Sequence, residues 1–236
     1  MKVPFPAGLR LRIALLILLG ALPAFLVVAY LALSQRDQAI AKTYEDTTRL
    51  ARLAAAKEGA LIEGARQLTI ALTLFPAVVQ HDVEGCNAFA GKLLAGYPQY
   101  TNFGVVDPDG SIWCSSARIR QSVNLGDRAY VRHAIEKREP YLSGYQIGRL
   151  TGIPSIVYAS PVIAGQQVAG VAFASLRASA FGALGREVDM PDGATYLIID
   201  HDGKVLQRFP EGSTWRGPQI ARTELLREAS ARGYGS

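Results

Sequence analysis

Six side chains in the second half of the chain have the chemistry of a small-anion receptor: Arg128, Tyr130, Tyr145, Arg149, Tyr158 and Ser160. A guanidinium presents a planar fork of N–H donors that matches the two oxygens of a carboxylate. Tyrosine and serine hydroxyls add neutral donors, and tyrosine rings add flat walls. Asp127 follows Gly126 and reads as the cap of a helix over 128–138, which puts Arg128 in the first turn. The positive end of that helix would reinforce an anion site. Arg149 lies in GYQIGRLTG, residues 144–152, where glycine recurs at every fourth position. Read as part of a strand over Tyr141–Arg149, this segment puts Tyr141, Ser143, Tyr145, Ile147 and Arg149 on one face and Gly144 and Gly148 on the other. Such glycines thin a strand face so that another group can approach. Ile156, Tyr158 and Ser160 share one side of the next strand, and alternation alone leaves open whether that is the Arg149 side. Plainer roles also fit these residues: a local salt bridge for Arg128, a solvated turn for Arg149, core packing for the tyrosines.

Other chemistries find less support. The chain has no GxSxG, HExxH, P-loop or GxGxxG pattern, so no catalytic residues are expected. His81, His133 and His201 are scattered and lack metal-ligand spacing, so neither a metal nor a cofactor is expected. DxDG occurs at Asp107 and Asp200, but the sixth position holds Ile112 or Val205 where a calcium loop needs glycine. The DxDG stretches read as turns. The formal charge is +5 over 236 residues, and Lys2, Arg10 and Arg12 supply three of those charges. No basic block interleaved with aromatics is present, which argues against nucleic acid as a partner.

The positioning elements follow from patterning. Ile13–Leu33 is a run of 21 residues without a charge, long enough to cross a bilayer as a helix. The basic residues before it place the N-terminus in the cytoplasm and the bulk of the chain outside. A cleaved signal peptide is the competing reading, but its apolar core is ordinarily shorter. From Ser34 to about Val79 good helix formers dominate, with Leu50, Leu53, Leu61, Leu68, Leu72 and Phe75 at mostly helical steps, so a long amphipathic helix ending near Pro76 is expected. A short helix follows up to about Gly96. Strands are expected over 102–106, 111–115, 141–149, 155–162 and 167–176, with the 128–138 helix between the second and third. That order gives a PAS-like antiparallel sheet of five strands backed by the long helix. VVDPDGSI (105–112) is echoed by IIDHDGKV (198–205) at an offset of 93 residues, which points to a second, related and incomplete module. Cys86 and Cys114 lie beyond the apolar run, where a disulfide is expected; two buried thiols are the alternative.

DRAYVRHA (127–134), GYQIGRLTGIPSIVYASPV (144–162) and VAGVAFASL (168–176), with the cysteine pair around YPQYTNFGVVDPDGSIWCSS, resemble the double Cache (dCache) extracytoplasmic sensor domains of bacterial histidine kinases and diguanylate cyclases. The resemblance covers about residues 34–236. It implies an α+β fold with a basic cytoplasmic N-terminus (1–12) and a transmembrane helix (13–33). A long stalk helix with a short helix (34–95), a membrane-distal PAS-like ligand-binding module (96–180) and a partial proximal module (181–236) would follow. It also implies that the sequence stops before an effector, that the protein sits in the bacterial inner membrane, and that a homodimer forms through the stalk. Amino-acid-binding members carry arginine, any residue, then two aromatics on the inserted helix, with a tyrosine five residues earlier. Arg128 and Tyr130 match, while Val131 and Val123 depart, which favours a small carboxylate ligand over an α-amino acid. A ligand-free interaction module is the alternative function.

Overall fold

The structure is a computed structural model that describes residues 7–182, 196–199 and 205–209, without some of the side chains in the N-terminal part of the first helix and in the last hairpin. The chain divides into two units, Met1–Leu53 and Ala54–Ser236. Helix α1 runs over Ala7–Thr73. In the first unit it exposes apolar side chains, among them Leu16, Ile17, Leu19, Phe25, Val28 and Tyr30. The 13–33 run lies in this part, but its residues 13–15, 24, 29, 32 and 33 have side chains outside the described set. Among the described residues no helix is long and apolar enough to cross a membrane.

In the second unit α1 is followed by α2 (Pro76–Val79), α3 (Val83–Gly96), β1 (Tyr100–Val106), β2 (Ile112–Ser115), α4 (Ala129–Lys137), β3 (Tyr141–Leu142), β4 (Gln146–Ile147), β5 (Pro154–Ala164) and β6 (Gln167–Arg177). A short 3-10 turn spans Ala178–Ala180, and β7 (Tyr196–Ile199) pairs with β8 (Val205–Phe209). Proline cannot continue the i→i−4 ladder, so α1 stops at Thr73 and Pro76 opens α2, as a proline at a first helical position does. Asp82 caps α3 by accepting the Gly85 N–H at 3.1 Å.

The main sheet is antiparallel in the order β2-β1-β6-β5-β3, with β4 also on β5. The expected five strands are present, but the third is broken. Ser143 interrupts it: its backbone N–H donates to the Val157 carbonyl, while its hydroxyl accepts the Val157 N–H at 2.9 Å and donates to the Gly144 carbonyl. A hydroxyl doing the work of a backbone carbonyl lets the chain bulge out, leaving β3 and β4 as two-residue pieces.

Alternation gives the sheet two buried faces. One face carries Phe103, Val105, Ile156, Tyr158, Ala172, Ala174 and Leu176, packed with Ala65 and Leu72 of α1 and Cys86 and Ala90 of α3. The other carries Val106, Val157, Ala159, Val171 and Phe173 under Tyr130, Val131 and Ala134 of α4. Of the expected helix stripe, Leu72 is fully buried, while Leu61, Leu68 and Phe75 pack partly buried against the first cluster. Leu53 is exposed instead, at the end of the first unit. Gly104 shows why a strand interior needs glycine: a Cβ there would lie 2.7 Å from the Phe173 ring and 2.6 Å from the Cys114 carbonyl.

The expected disulfide is present. Cys86 and Cys114 join α3 to the edge strand β2 with a Cα–Cα distance of 5.8 Å. DPDG forms the β1–β2 turn: Gly110 donates to the Asp107 carbonyl at 2.8 Å, and Asp109 accepts from the Ser111 N–H at 2.8 Å. The second hairpin copies the first in register. Val105↔Cys114 and Val106↔Ile112 become Ile198↔Gln207 and Ile199↔Val205, and the irregularity falls at the same step. The remainder of 181–236 lies largely outside the described residues.

Candidate ligand-binding pocket

The face of the sheet beneath α4 is not wholly apolar. Asn102 on β1 stands opposite Ser175 on β6, and Ser175 in turn stands opposite Val157 on β5. Both polar residues are buried. They line a partly open pocket together with Arg128 just before α4, Tyr130 of α4, Gln146–Thr151 from β4 and the turn after it, and Leu125, Val157 and Phe173. The room for the centre of a water molecule is about 20 Å³, enough for one or two waters.

Arg128 is the N-cap residue of α4 rather than a member of its first turn, with extended backbone at φ −77° and ψ 134°. Its guanidinium donates to Gln146 Oε1 at 3.0 Å and to the Ile147 carbonyl at 3.3 Å. Gln146 Nε2 continues the chain to Ser143 Oγ at 3.2 Å. Arg128 thus fastens the start of α4 to the broken third strand.

Asp127 does not cap the helix. It takes a two-pronged ion pair from Arg149, Nη1 to Oδ1 at 2.9 Å and Nη2 to Oδ2 at 2.7 Å. Arg149 Nη1 also donates to the Asn124 carbonyl. The pair holds the Asp127 carboxyl below its usual range and pushes the Arg149 guanidinium up. Arg149 reaches Asp127 because the strand has already ended: Gly148 donates to the Ile153 carbonyl at 3.0 Å, Gly152 donates to the Gly148 carbonyl at 2.8 Å, and Gly152 takes φ +67°. Of the three spaced glycines, Gly148 and Gly152 therefore make a turn. A Cβ at Gly148 would sit 2.4 Å from Thr151 Oγ1.

Tyr130 is buried against Phe173, with ring centroids 6.2 Å apart. Burial raises its pKa to about 12, although the neighbouring Arg128 and Arg149 charges pull the other way. Its hydroxyl, the Ser175 hydroxyl and Asn102 Nδ2 make no hydrogen bond to any described residue. Asn102 Oδ1, by contrast, accepts from Ser115 Oγ, Ser116 Oγ and the Ala117 N–H at 3.0, 2.8 and 3.0 Å.

The structure thus gathers Arg128, Tyr130 and Arg149 around one pocket. Tyr158 and Ser160 do not join them: even-numbered residues of β5 point to the α1 side, where Tyr158 packs in the first cluster. Ser160 Oγ is buried without a partner among the described residues. Tyr145 follows the strand break and does not line the pocket. Sequence reasoning missed Asn102, Gln146 and Ser175. The signal available was polarity at inward positions, since Asn102, Gly104 and Val106 alternate onto one face, as do Phe173 and Ser175. His81 bonds Asp107 at 3.1 Å and stacks on Trp113, away from the pocket. Among the described residues no group of three or more His, Cys, Asp or Glu could hold a metal ion.

No family model matches the chain. Sporulation kinase D of Bacillus subtilis (strain 168) is 23% identical over 154 residues, which span 64% of this chain and 30% of the kinase. Among solved structures, the sensor domain of the V. cholerae histidine kinase DctB superposes with a TM-score of 0.58 at 15% identity, covering 70% of this chain and 66% of that one. The ligand-binding domain of the Pseudomonas aeruginosa PAO1 amino acid chemoreceptor PctC, in complex with GABA, gives 0.56 at 15% identity, covering 70% and 75%. The ligand-binding domain of the Pseudomonas fluorescens chemoreceptor CtaA, in complex with L-serine, gives 0.52 at 18% identity, covering 65% and 66%. These likenesses show the fold: the chain folds as the Cache-like sensor domains of histidine kinases and chemoreceptors do.

Proposed function

We propose that the chain is the membrane-anchored, extracytoplasmic input module of a bacterial signalling protein, and that its pocket binds a small carboxylate. The observation that carries the ligand reading is the set of donors left over in the pocket: Asn102 Nδ2, the Tyr130 hydroxyl and the Ser175 hydroxyl, with two guanidiniums at the wall. These donors line the pocket, and an acceptor-rich anion would satisfy them together. Arg149, now on Asp127, and Arg128, now on Gln146 and Ile147, would turn in part to the ligand. The DctB, PctC and CtaA likenesses support a sensor rather than an enzyme.

The anchor rests on the exposed apolar face of α1 and on the basic residues before it. The Cys86–Cys114 bridge suits an oxidising compartment. The expected division into distal module (96–180) and partial proximal module (181–236) is part of the same proposal, supported by the repeated hairpin register. So is pairing of two copies along α1, which the exposed Tyr44 and Leu53 favour.

The ligand-free interaction module remains the second reading because the pocket has only water-sized room. A thermal-shift screen of the full chain in detergent against carboxylates, amino acids and amines separates the two. A carboxylate at ~100 times its dissociation constant stabilises by about 2.7 kcal/mol. A flat response to every compound in the screen favours the interaction module.

A further inference from the structure

The geometry points to Asn102 as the residue that selects the ligand: its side chain makes the inner end of the pocket accept a hydrogen-bond acceptor and reject an ammonium group. The inference rests on the proposed carboxylate site and deepens it. An asparagine amide is ordinarily ambivalent, with an acceptor oxygen and a donor nitrogen. Here the ambivalence is removed. The Ala117 N–H can only donate, so the atom it meets at 3.0 Å is the oxygen, and the Ser115 and Ser116 hydroxyls complete its coordination. The half of the amide left for the pocket is therefore the NH2. Asn102 is only 4% exposed and lines the pocket.

The surroundings carry no negative charge. Across the strand pair stands Ser175, whose hydroxyl can turn to donate beside Asn102. No residue lining the pocket is acidic, while two are arginines. Asp127, whose carboxylate is taken by Arg149, does not line the pocket. An ammonium brought to this end would meet the Asn102 N–H donors and find only neutral oxygens in exchange for its water. An ether, hydroxyl or carbonyl oxygen would be satisfied there. The ligand class is thus a short carboxylate whose second polar group is an acceptor oxygen. GABA and L-serine, the ligands of the two chemoreceptor structures, both carry an ammonium, so this pocket would diverge from theirs.

Acetate, glycolate and glycine test this, because they share a carboxylate and differ only in the second group. Affinities of the full chain for each are measured by titration calorimetry, for wild type and for Asn102→Asp. Aspartate keeps an oxygen for Ser115, Ser116 and Ala117 and replaces only the NH2 by an acceptor. Wild type is expected to prefer glycolate over glycine by at least ~10-fold, the scale of one hydrogen bond to a charged group. Asn102→Asp is expected to reverse the order, whatever it does to the absolute affinities. Wild type that binds acetate but takes glycine as well as glycolate overturns the inference and leaves the carboxylate site standing. So does a folded Asn102→Asp protein with an unchanged ratio. Wild type that binds none of the three overturns the carboxylate site and the inference with it. The wild-type ratio decides even if the variant fails to fold.

Discussion

At the scale of single residues, the proposed carboxylate site turns on who holds Arg149, which Asp127 pairs with. Three of the arginine's five N–H groups are taken by Asp127 and Asn124, so a ligand carboxylate must either displace the Asp127 pair or use the two N–H groups left over. Asp127→Asn weakens the internal competitor and is expected to raise apparent carboxylate affinity several-fold, because a larger fraction of the protein is then ready to bind. Calorimetry reporting equal or weaker affinity would show that ligand and Asp127 do not share the arginine. The pH dependence has a definite sign. Asp127 is depressed in the folded state, so the stabilisation from its pair is complete above the ordinary carboxylate range and disappears as pH falls through the lowered value. Tyr130 behaves oppositely. Its pKa is raised to about 12 from an ordinary value near 10, so the folded state holds its proton longer and stability declines as pH rises across that interval. Tyr130→Phe is expected to flatten part of that alkaline decline, measured by chemical denaturation at several pH values. An identical decline in the variant would assign the loss to another group.

At the scale of elements, the sheet is held by close fits that single atoms can spoil. Gly104→Ala places a methyl against the Phe173 ring and the Cys114 carbonyl and is expected to cost about 1–3 kcal/mol, read from urea unfolding. A cost near zero would mean that the ring has room to move aside. Replacing both cysteines by serine removes a bridge that spans 28 residues and is expected to cost about 3–4 kcal/mol in the same assay. Much of this level was legible in the sequence. The order of strands, the inserted helix, the DPDG turn, the cysteine pair and the 93-residue hairpin echo all follow from patterns of two to eight residues, and local chemistry fixes them. The pocket was only half legible. Arg128, Tyr130 and Arg149 were named, but Tyr141–Arg149 was expected to be one strand. The break at Ser143 depends on its hydroxyl meeting Val157, 14 residues away, which no local pattern encodes. The side taken by Tyr158 and Ser160 was left open, because alternation says which residues share a face and not which face meets the helix. Asn102 was hidden because its meaning depends on Ser115, Ser116 and Ala117 converging on one oxygen.

At the scale of the whole molecule, one chain carries both the exposed apolar side chains of α1 and the sheet that holds the pocket. If the exposed apolar run of α1 is an anchor, full-length protein expressed in bacteria stays in the membrane fraction after an alkaline carbonate wash. Recovery in the wash would remove the anchor from the proposal without touching the pocket. A ligand can bias such a module only through its unequal affinity for two arrangements of it. The β4–β5 turn, fastened by Arg149 to Asp127 and by Arg128 to Gln146, is the wall whose arrangement a carboxylate would change. The most direct test is the affinity of the full chain for acetate and glycolate, measured by calorimetry in wild type and in Arg128→Ala, with the unfolding temperature followed in parallel. The expected result is saturable binding to wild type that weakens at least ~10-fold in the variant while its fold persists. Equal affinity in the two proteins, or no binding to wild type, would contradict the carboxylate pocket.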